Sequence, residues 1–331
     1  MIDVIYIESA VMNHHRVQKI ISRFQNATVI ECDRYGEVFN PRAQNFRLQK
    51  QNPALILAEK FDNFVLPTPE GYGIGGTKNY YFSHMLNCIY DCRYCFLQGM
   101  YRSAHYLLFV NYEDFQTTIE KTLKNESADE PVYFFSGYDC DSLALESVTH
   151  FVEEFIPFFR NNTQAVLELR TKSIQFDSLL NEESIPNCVV AFSFTPDNIS
   201  NNLEHGVPPV KSRINAMKKL AECGWLLGLR FDPLIYHKGW EENYRHLFQS
   251  VFSQIPANSI HSVSTGPLRF PTAMFETITR LYPEEKLFAG PIERQNGMMS
   301  YNNEIEDEMH QFCSNELRSY IPESLFFACT P

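Results

Sequence analysis

The chain has no apolar run approaching the roughly 18 residues that a membrane helix needs, so no bilayer-spanning helix is expected. Its opening, Met1-Ile-Asp-Val-Ile-Tyr-Ile-Glu8, sets an acid on each side of a short apolar run and lacks a basic n-region. A signal peptide is therefore not expected, and a cytoplasmic location is. Excess positive charge is missing as well. With 28 Lys and Arg against 40 Asp and Glu, the net charge is −12, which argues against indiscriminate nucleic-acid binding through phosphate neutralisation. Arg42, Arg47, Lys50, Arg102, Arg230, Lys238 and Arg269 are candidates for a local basic groove. They are scattered in sequence, and each taken singly reads as an ordinary solvated charge. Internal repeats and low-complexity tracts are absent too.

What is present is a large core. At 331 residues, 44% hydrophobic and 14% aromatic, the chain suits one barrel plus a small appendage. Nine cysteines stand at 32, 88, 92, 95, 140, 188, 223, 313 and 329. Only 88, 92 and 95 cluster, which favours metal binding there and reduced core thiols elsewhere over a disulfide scaffold.

Two regions are expected, 1–66 and 67–331. In the first, Val4–Ile7 and Thr28–Ile30 are expected strands around a helix from Asn13 to Phe24, a small α/β unit. Phe46 to Ala58 is ambiguous, with Ala54–Ala58 extended, and Pro67 and Pro69 mark the break. From residue 80 onward strands and helices alternate. The expected strands are Tyr80–Phe82, Val132–Phe135, Val166–Leu169, Val189–Ser193, Leu226–Arg230 and Ser259–Ser264. The expected helices are Glu113–Lys124, Ser142–Phe159, Ser212–Cys223 and Asn243–Phe252, each with an apolar stripe at helical spacing. Six β-then-α units imply a partial (β/α)6 barrel with its active residues at the C-terminal strand ends. The fold class is thus α/β.

The chemistry lies in His84-Met-Leu-Asn-Cys88-Ile-Tyr-Asp-Cys92-Arg-Tyr-Cys95-Phe. A C-x3-C-x2-C spacing supplies three thiolates to a [4Fe–4S] cubane that normally takes four, leaving one iron open. That iron is suited to chelating the amino and carboxylate groups of S-adenosylmethionine (AdoMet). Zinc is the alternative, because C-x2-C is also half of a zinc site and His84 stands four residues before Cys88. Gly71-Tyr-Gly-Ile-Gly-Gly76 matches a dinucleotide loop only in letters, since an extended aromatic run follows it instead of a helix.

Lys172, just past the third barrel strand, Ser193 at the end of the fourth and Asp232 after the fifth share the presumed active rim. Lys172 is suited to a carboxylate of substrate or cofactor. Tyr138 and Cys140, beyond the second strand, are candidate hydrogen-atom donors to a substrate radical, although a buried Cys is by default structural. Tyr94 and Phe96 flank Cys95 and serve either packing or function.

Cys88-x3-Cys92-x-Tyr94-Cys95-Phe96-Leu97-Gln98 resembles the spore photoproduct lyase family of radical AdoMet enzymes. The likeness continues through Phe109–Asp114, Thr171-Lys172, Phe192-Ser193 and Pro233–Tyr244, roughly residues 80 to 255, while the opening and tail resemble a bacterial branch apart from the sporulation enzymes. The resemblance implies a radical AdoMet barrel holding a [4Fe–4S] cluster and AdoMet. It also implies a carbon–carbon lyase that repairs a methylene-bridged thymine dimer in DNA, with the lesion outside the base stack. An electron donor such as flavodoxin or ferredoxin follows as a partner. By the same likeness Lys172 and Ser193 contact the cofactor, and Tyr94 belongs to the aromatic surroundings of the cluster. Three positions depart. The family's radical-quenching cysteine falls on Tyr138, its next cofactor-contacting serine on Cys140, and the tyrosine after the third cluster ligand on Phe96. The radical-generating half is intact in sequence; the hydrogen-return half is altered. A damaged pyrimidine in DNA is the expected substrate, with RNA, a peptide or a small molecule as the alternative, and a non-catalytic metal-binding protein as a further one.

Overall fold

The computed structural model of the chain describes all residues except 1, 40, 43, 70, 296, 330 and 331, and is built on two mainly parallel sheets sharing one hydrophobic core. In chain order the strands are β1 Val4–Glu8, β2 Thr28–Cys32, β3 Leu55–Ala58, β4 Leu66–Pro67, β5 Lys78–Tyr81, β6 Met85–Leu86, β7 Asp91–Cys92, β8 Tyr106–Phe109 and β9 Val132–Phe135. There follow β10 Ala165–Thr171, β11 Cys188–Ser193, β12 Glu204–His205, β13 Leu226–Leu234, β14 Ile260–Pro267, β15 Arg269–Pro271, β16 Ile292–Gln295, β17 Met298–Tyr301 and β18 Phe326–Ala328.

The larger sheet has the order β18-β14-β13-β11-β10-β9-β5-β4. Its six central strands are the six expected from sequence, and β5 through β18 pair in parallel. Only β4, at one edge, is antiparallel. Strands of such a sheet are covered on both faces and must be apolar throughout. Val132-Tyr-Phe-Phe135 and Cys188–Ser193 are accordingly buried at every position. The helix Tyr112–Asn125 buries Tyr112, Phe115 and Ile119 on one stripe. Each such side chain contributes about 1.5–3 kcal/mol by leaving water.

The smaller sheet, β2-β1-β3-β8-β6, draws three strands from residues 4–58 and two from beyond residue 80. Phe46–Gln51, ambiguous in sequence, is a helix whose first turn is capped by the Asn45 side chain. All nine cysteines are free thiols.

Two expectations are corrected. Ser142–Phe159 is not one helix but two, Glu146–Thr149 and Phe151–Asn161, separated by His150 at φ 50°. Side-chain acceptors interrupt the helical hydrogen bonding while the apolar spacing runs on. Asp141 takes the Leu143 and Ala144 amides, and Glu146 takes those of Phe151 and Val152. Second, β13 continues to Leu234, so Asp232 lies within it and not after it. The tail adds β18 beside β14 as an edge strand, a pairing that sequence periodicity did not reveal. Its final residues, Thr330 and Pro331, lie outside the described residues. The Gly71–Gly76 segment is a turn leading into β5, as its aromatic sequel implied. Gly75 sits there at φ 107°, a conformation that favours glycine.

Candidate active site

The C-terminal ends of β9, β10, β11, β13 and β14 open into one cavity of about 550 Å³. This is the rim where parallel α/β barrels carry their chemistry. Cys88, Cys92, Tyr94, Cys95, Tyr138, Cys140, Lys172, Ser193 and Asp232 all line it. Residues from five separate chain segments thus meet at one place.

The cysteine loop is built from the backbone outward. Asn87 enters it at φ 69°, a left-handed conformation that Asn tolerates better than most residues. Its amide donates to the Ser103 and His105 carbonyls at 2.8 Å, anchoring the turn. The Tyr90 amide points at Cys88 Sγ, 3.4 Å away. Next, β7 pairs with β12 so that Cys92 faces Glu204, and the Arg93 amide bonds the Leu203 carbonyl.

Glu204 is the hub of this brace. Its carboxylate, fully buried, accepts from the Tyr94 hydroxyl, from Thr195 Oγ1 at 3.1 Å, from Ser200 Oγ at 2.7 Å and from Arg213 Nη2 at 2.6 Å. Burial opposes its charge, but Arg213, Lys172 and these donors hold its pKa below the ordinary carboxylate range. Tyr94 is therefore fixed at the cavity wall, and the Lys172 ammonium lies over its ring at 5.5 Å.

Asp141 performs the matching task on the barrel side. It accepts from Thr171 Oγ1 and the Lys172 amide, both at 2.6 Å, as well as from Leu143 and Ala144. Burial raises its pKa, with these donors pulling the other way. The carboxylate ties the loop bearing Tyr138 and Cys140 to the strand end bearing Lys172. Gly137 allows this close approach, because a Cβ there would meet the Arg170 carbonyl and Ser142 Oγ at 2.9 Å. Arg170 in turn bonds Glu168 at 3.0 Å and lies over the Tyr72 ring at 5.1 Å.

Burial raises the pKa of all three clustered thiols, to about 12 for Cys88. Holding them as thiolates in that setting calls for nearby positive charge, which bound iron supplies. Among the described residues, no three His, Cys, Asp or Glu side chains converge tightly enough for a single metal ion. His84, the fourth ligand of the zinc reading, is stacked on Phe151 at 4.1 Å, and burial lowers its pKa to about 3. With His84 packed on Phe151, the three thiols suit a cluster with three protein ligands better than a four-ligand zinc site.

In the same cavity, Tyr138 stacks on Tyr81 at 4.4 Å and meets Tyr72 edge-on at 6.2 Å. Phe96, in van der Waals surroundings without a hydroxyl, lies 5.8 Å from Tyr138. Cys140, remote in sequence from the triplet, lines the same cavity with its Sγ toward the Ser136 carbonyl at 3.8 Å. Of the basic candidates, three take different settings. Arg230 is inside the barrel, paired with Glu168 at 2.7 Å, and Arg47 pairs with Glu284; Arg269 lines the cavity.

Sequence reasoning missed Asp141, Glu204, Arg170 and Tyr72. Asp141 and Arg170 carry the same strand-end placement that singled out Cys140 and Lys172. Glu204 carried no signal, since Tyr94 is 110 residues away.

The family model described as spore photoproduct lyase matches residues 76–328. The spore photoproduct lyase of Bacillus subtilis (strain 168) is 28% identical over 294 residues, 86% of this chain and 83% of that protein. That of Geobacillus sp. (strain Y412MC61) is 28% identical over 203 residues, 60% of this chain and 59% of its own length. Spore photoproduct lyase complexed with dinucleoside spore photoproduct has the same fold, with TM-score 0.85 at 19% identity over 100% of this chain and 98% of that one. A double mutant of it with bound AdoMet and dinucleoside spore photoproduct gives TM-score 0.86, again at 19% identity, with the same coverage. With the family match spanning most of the barrel and the cysteine triplet at its mouth, the chain belongs to the spore photoproduct lyase family of radical AdoMet enzymes.

Proposed function

We propose that this enzyme acts on a damaged pyrimidine in DNA, splitting a carbon–carbon bond of a spore-photoproduct-type thymine lesion. The carrying observation is a single cavity that joins the cysteine triplet to Tyr138 and Cys140. At about 550 Å³ it falls within the size range of small-molecule sites. Relatives of the same fold bind AdoMet and dinucleoside spore photoproduct.

Cys88, Cys92 and Cys95 would hold the [4Fe–4S] cluster, and Lys172, Ser193 and Asp232 would face AdoMet. When bound, these two groups supply a 5′-deoxyadenosyl radical by one-electron reductive cleavage. The chain's own residues do the rest. Tyr94, locked by Glu204, shapes the wall beside the triplet, while the Tyr72 and Tyr138 rings offer apolar surface to an unstacked base. Cys140 gives a hydrogen atom to the product radical: its S–H bond breaks, a C–H bond forms and a thiyl radical remains. A one-electron donor of the flavodoxin or ferredoxin class supplies the electron.

Offering synthetic spore-photoproduct dinucleotide to the reduced, reconstituted enzyme tests the reading. The repaired thymine dinucleotide, separated by chromatography from the isomeric lesion and identified by mass spectrometry, is the expected product. Production of 5′-deoxyadenosine with no repaired dinucleotide would instead support a different substrate, the alternative that Tyr138 and Phe96 keep open. For Cys140, the alanine variant is expected to cleave AdoMet but to divert the substrate radical into side products. An unchanged product distribution in Cys140→Ala excludes Cys140 as the donor.

A further inference from the structure

Lys50 stands at the end of the short helix Phe46–Gln51, outside the barrel. Its ammonium donates to two main-chain carbonyls of the cysteine loop, Cys88 O at 2.7 Å and Tyr90 O at 3.0 Å. The helix that presents it is itself tied down: Gln49 Oε1 accepts from the Ala104 amide at 3.0 Å, and Arg47 pairs with Glu284 at 3.0 Å. A positive charge from the N-terminal region is thus held against the turn that carries the first cluster ligand.

We propose that Lys50 is a positioning and charge-setting residue for the cluster, fixing the Cys88–Tyr90 turn and favouring the one-electron-reduced state over the oxidised one. Reduction takes one electron from a low-potential one-electron donor, makes and breaks no bond, and adds one negative charge to the cluster. A fixed cation nearby stabilises that charge more than it stabilises the oxidised form. Two hydrogen bonds to carbonyls give the lysine a defined seat, unlike a mobile surface charge. The inference rests on the cluster assignment above and not on the identity of the substrate.

The test is a potentiometric EPR titration of the full-length protein, reconstituted without oxygen, with iron and sulfide counted per chain. Lys50→Gln keeps a donor for the carbonyls and removes the charge; Lys50→Arg keeps both. The glutamine variant is expected to retain its iron while its ratio of reduced to oxidised cluster, at a given potential, falls about tenfold, a midpoint shift of ~59 mV to more negative values. The arginine variant is expected to restore the wild-type midpoint. An unchanged midpoint in Lys50→Gln overturns the charge-setting role. Loss of iron from the glutamine and arginine variants alike also overturns it, leaving only a structural part. Absence of a cluster from the wild-type protein would overturn the cofactor assignment as well, so the two failures are distinguishable.

Discussion

Replacing Cys88, Cys92 or Cys95 by alanine is expected to leave the protein without cluster absorbance and without 5′-deoxyadenosine formation. A cubane needs its thiolates, and three is already one fewer than the usual set. The three positions share one cavity wall and one braced loop, so no neighbouring loop thiol can slide into a vacated place. Cys140 is the one other cysteine on that cavity. Its Sγ faces the Ser136 carbonyl, and its loop is tied to β10 by Asp141. Iron content, absorbance and product analysis of each alanine variant check the expectation. A variant that keeps both its cluster and AdoMet cleavage would show that its cysteine is no ligand. If Cys88→Ala keeps them and the double variant with Cys140→Ala does not, Cys140 is the substitute.

Glu204→Ala is expected to lose about 3–5 kcal/mol of stability, the usual consequence of stranding one member of a buried ion pair. Arg213 has no exposed side-chain surface, and without Glu204 its charge has no counter-ion at 2.6 Å. Tyr94, Thr195 and Ser200 lose an acceptor in the same change. Urea unfolding of the metal-free variant measures the loss; a value below about 1 kcal/mol, typical of an exposed pair, would refute it. The effect carries a pH signature. Because the folded pKa of Glu204 lies below its unfolded value, the contribution is complete above the unfolded carboxylate pKa and is lost as pH falls through the folded one. The wild-type advantage over the variant should therefore shrink in acid. Unbracing Tyr94 should also lower the iron retained per chain, which links the stability loss to the site.

Much of the barrel was legible because its evidence is local. Val132–Phe135 and Cys188–Ser193 are continuous apolar runs bounded by polar loops, and each is a strand buried at every position. Where side chains overrode periodicity, the reading failed. The run Ser142–Phe159 has an unbroken apolar stripe, yet Asp141 and Glu146 compete for its amides and split it. The short β8 and the antiparallel pairs of β15, β16 and β17 lacked any distinguishing period, and β18 is set by its partner β14.

The cluster motif and the sequence of strand-end residues were determined by the chain alone, since ligands within eight residues and polar groups after apolar runs need no tertiary knowledge. Only folding decided which groups reach that motif from afar. Lys50 meets Cys88 from 38 residues away, and Glu204 meets Tyr94 from 110. Cys140 joins the same cavity from the loop after β9. Sequence spacing encodes neighbours along a helix, a strand or a loop. A parallel sheet instead brings successive strand ends together across long crossovers, so contacts between those ends appear only once the sheet has formed.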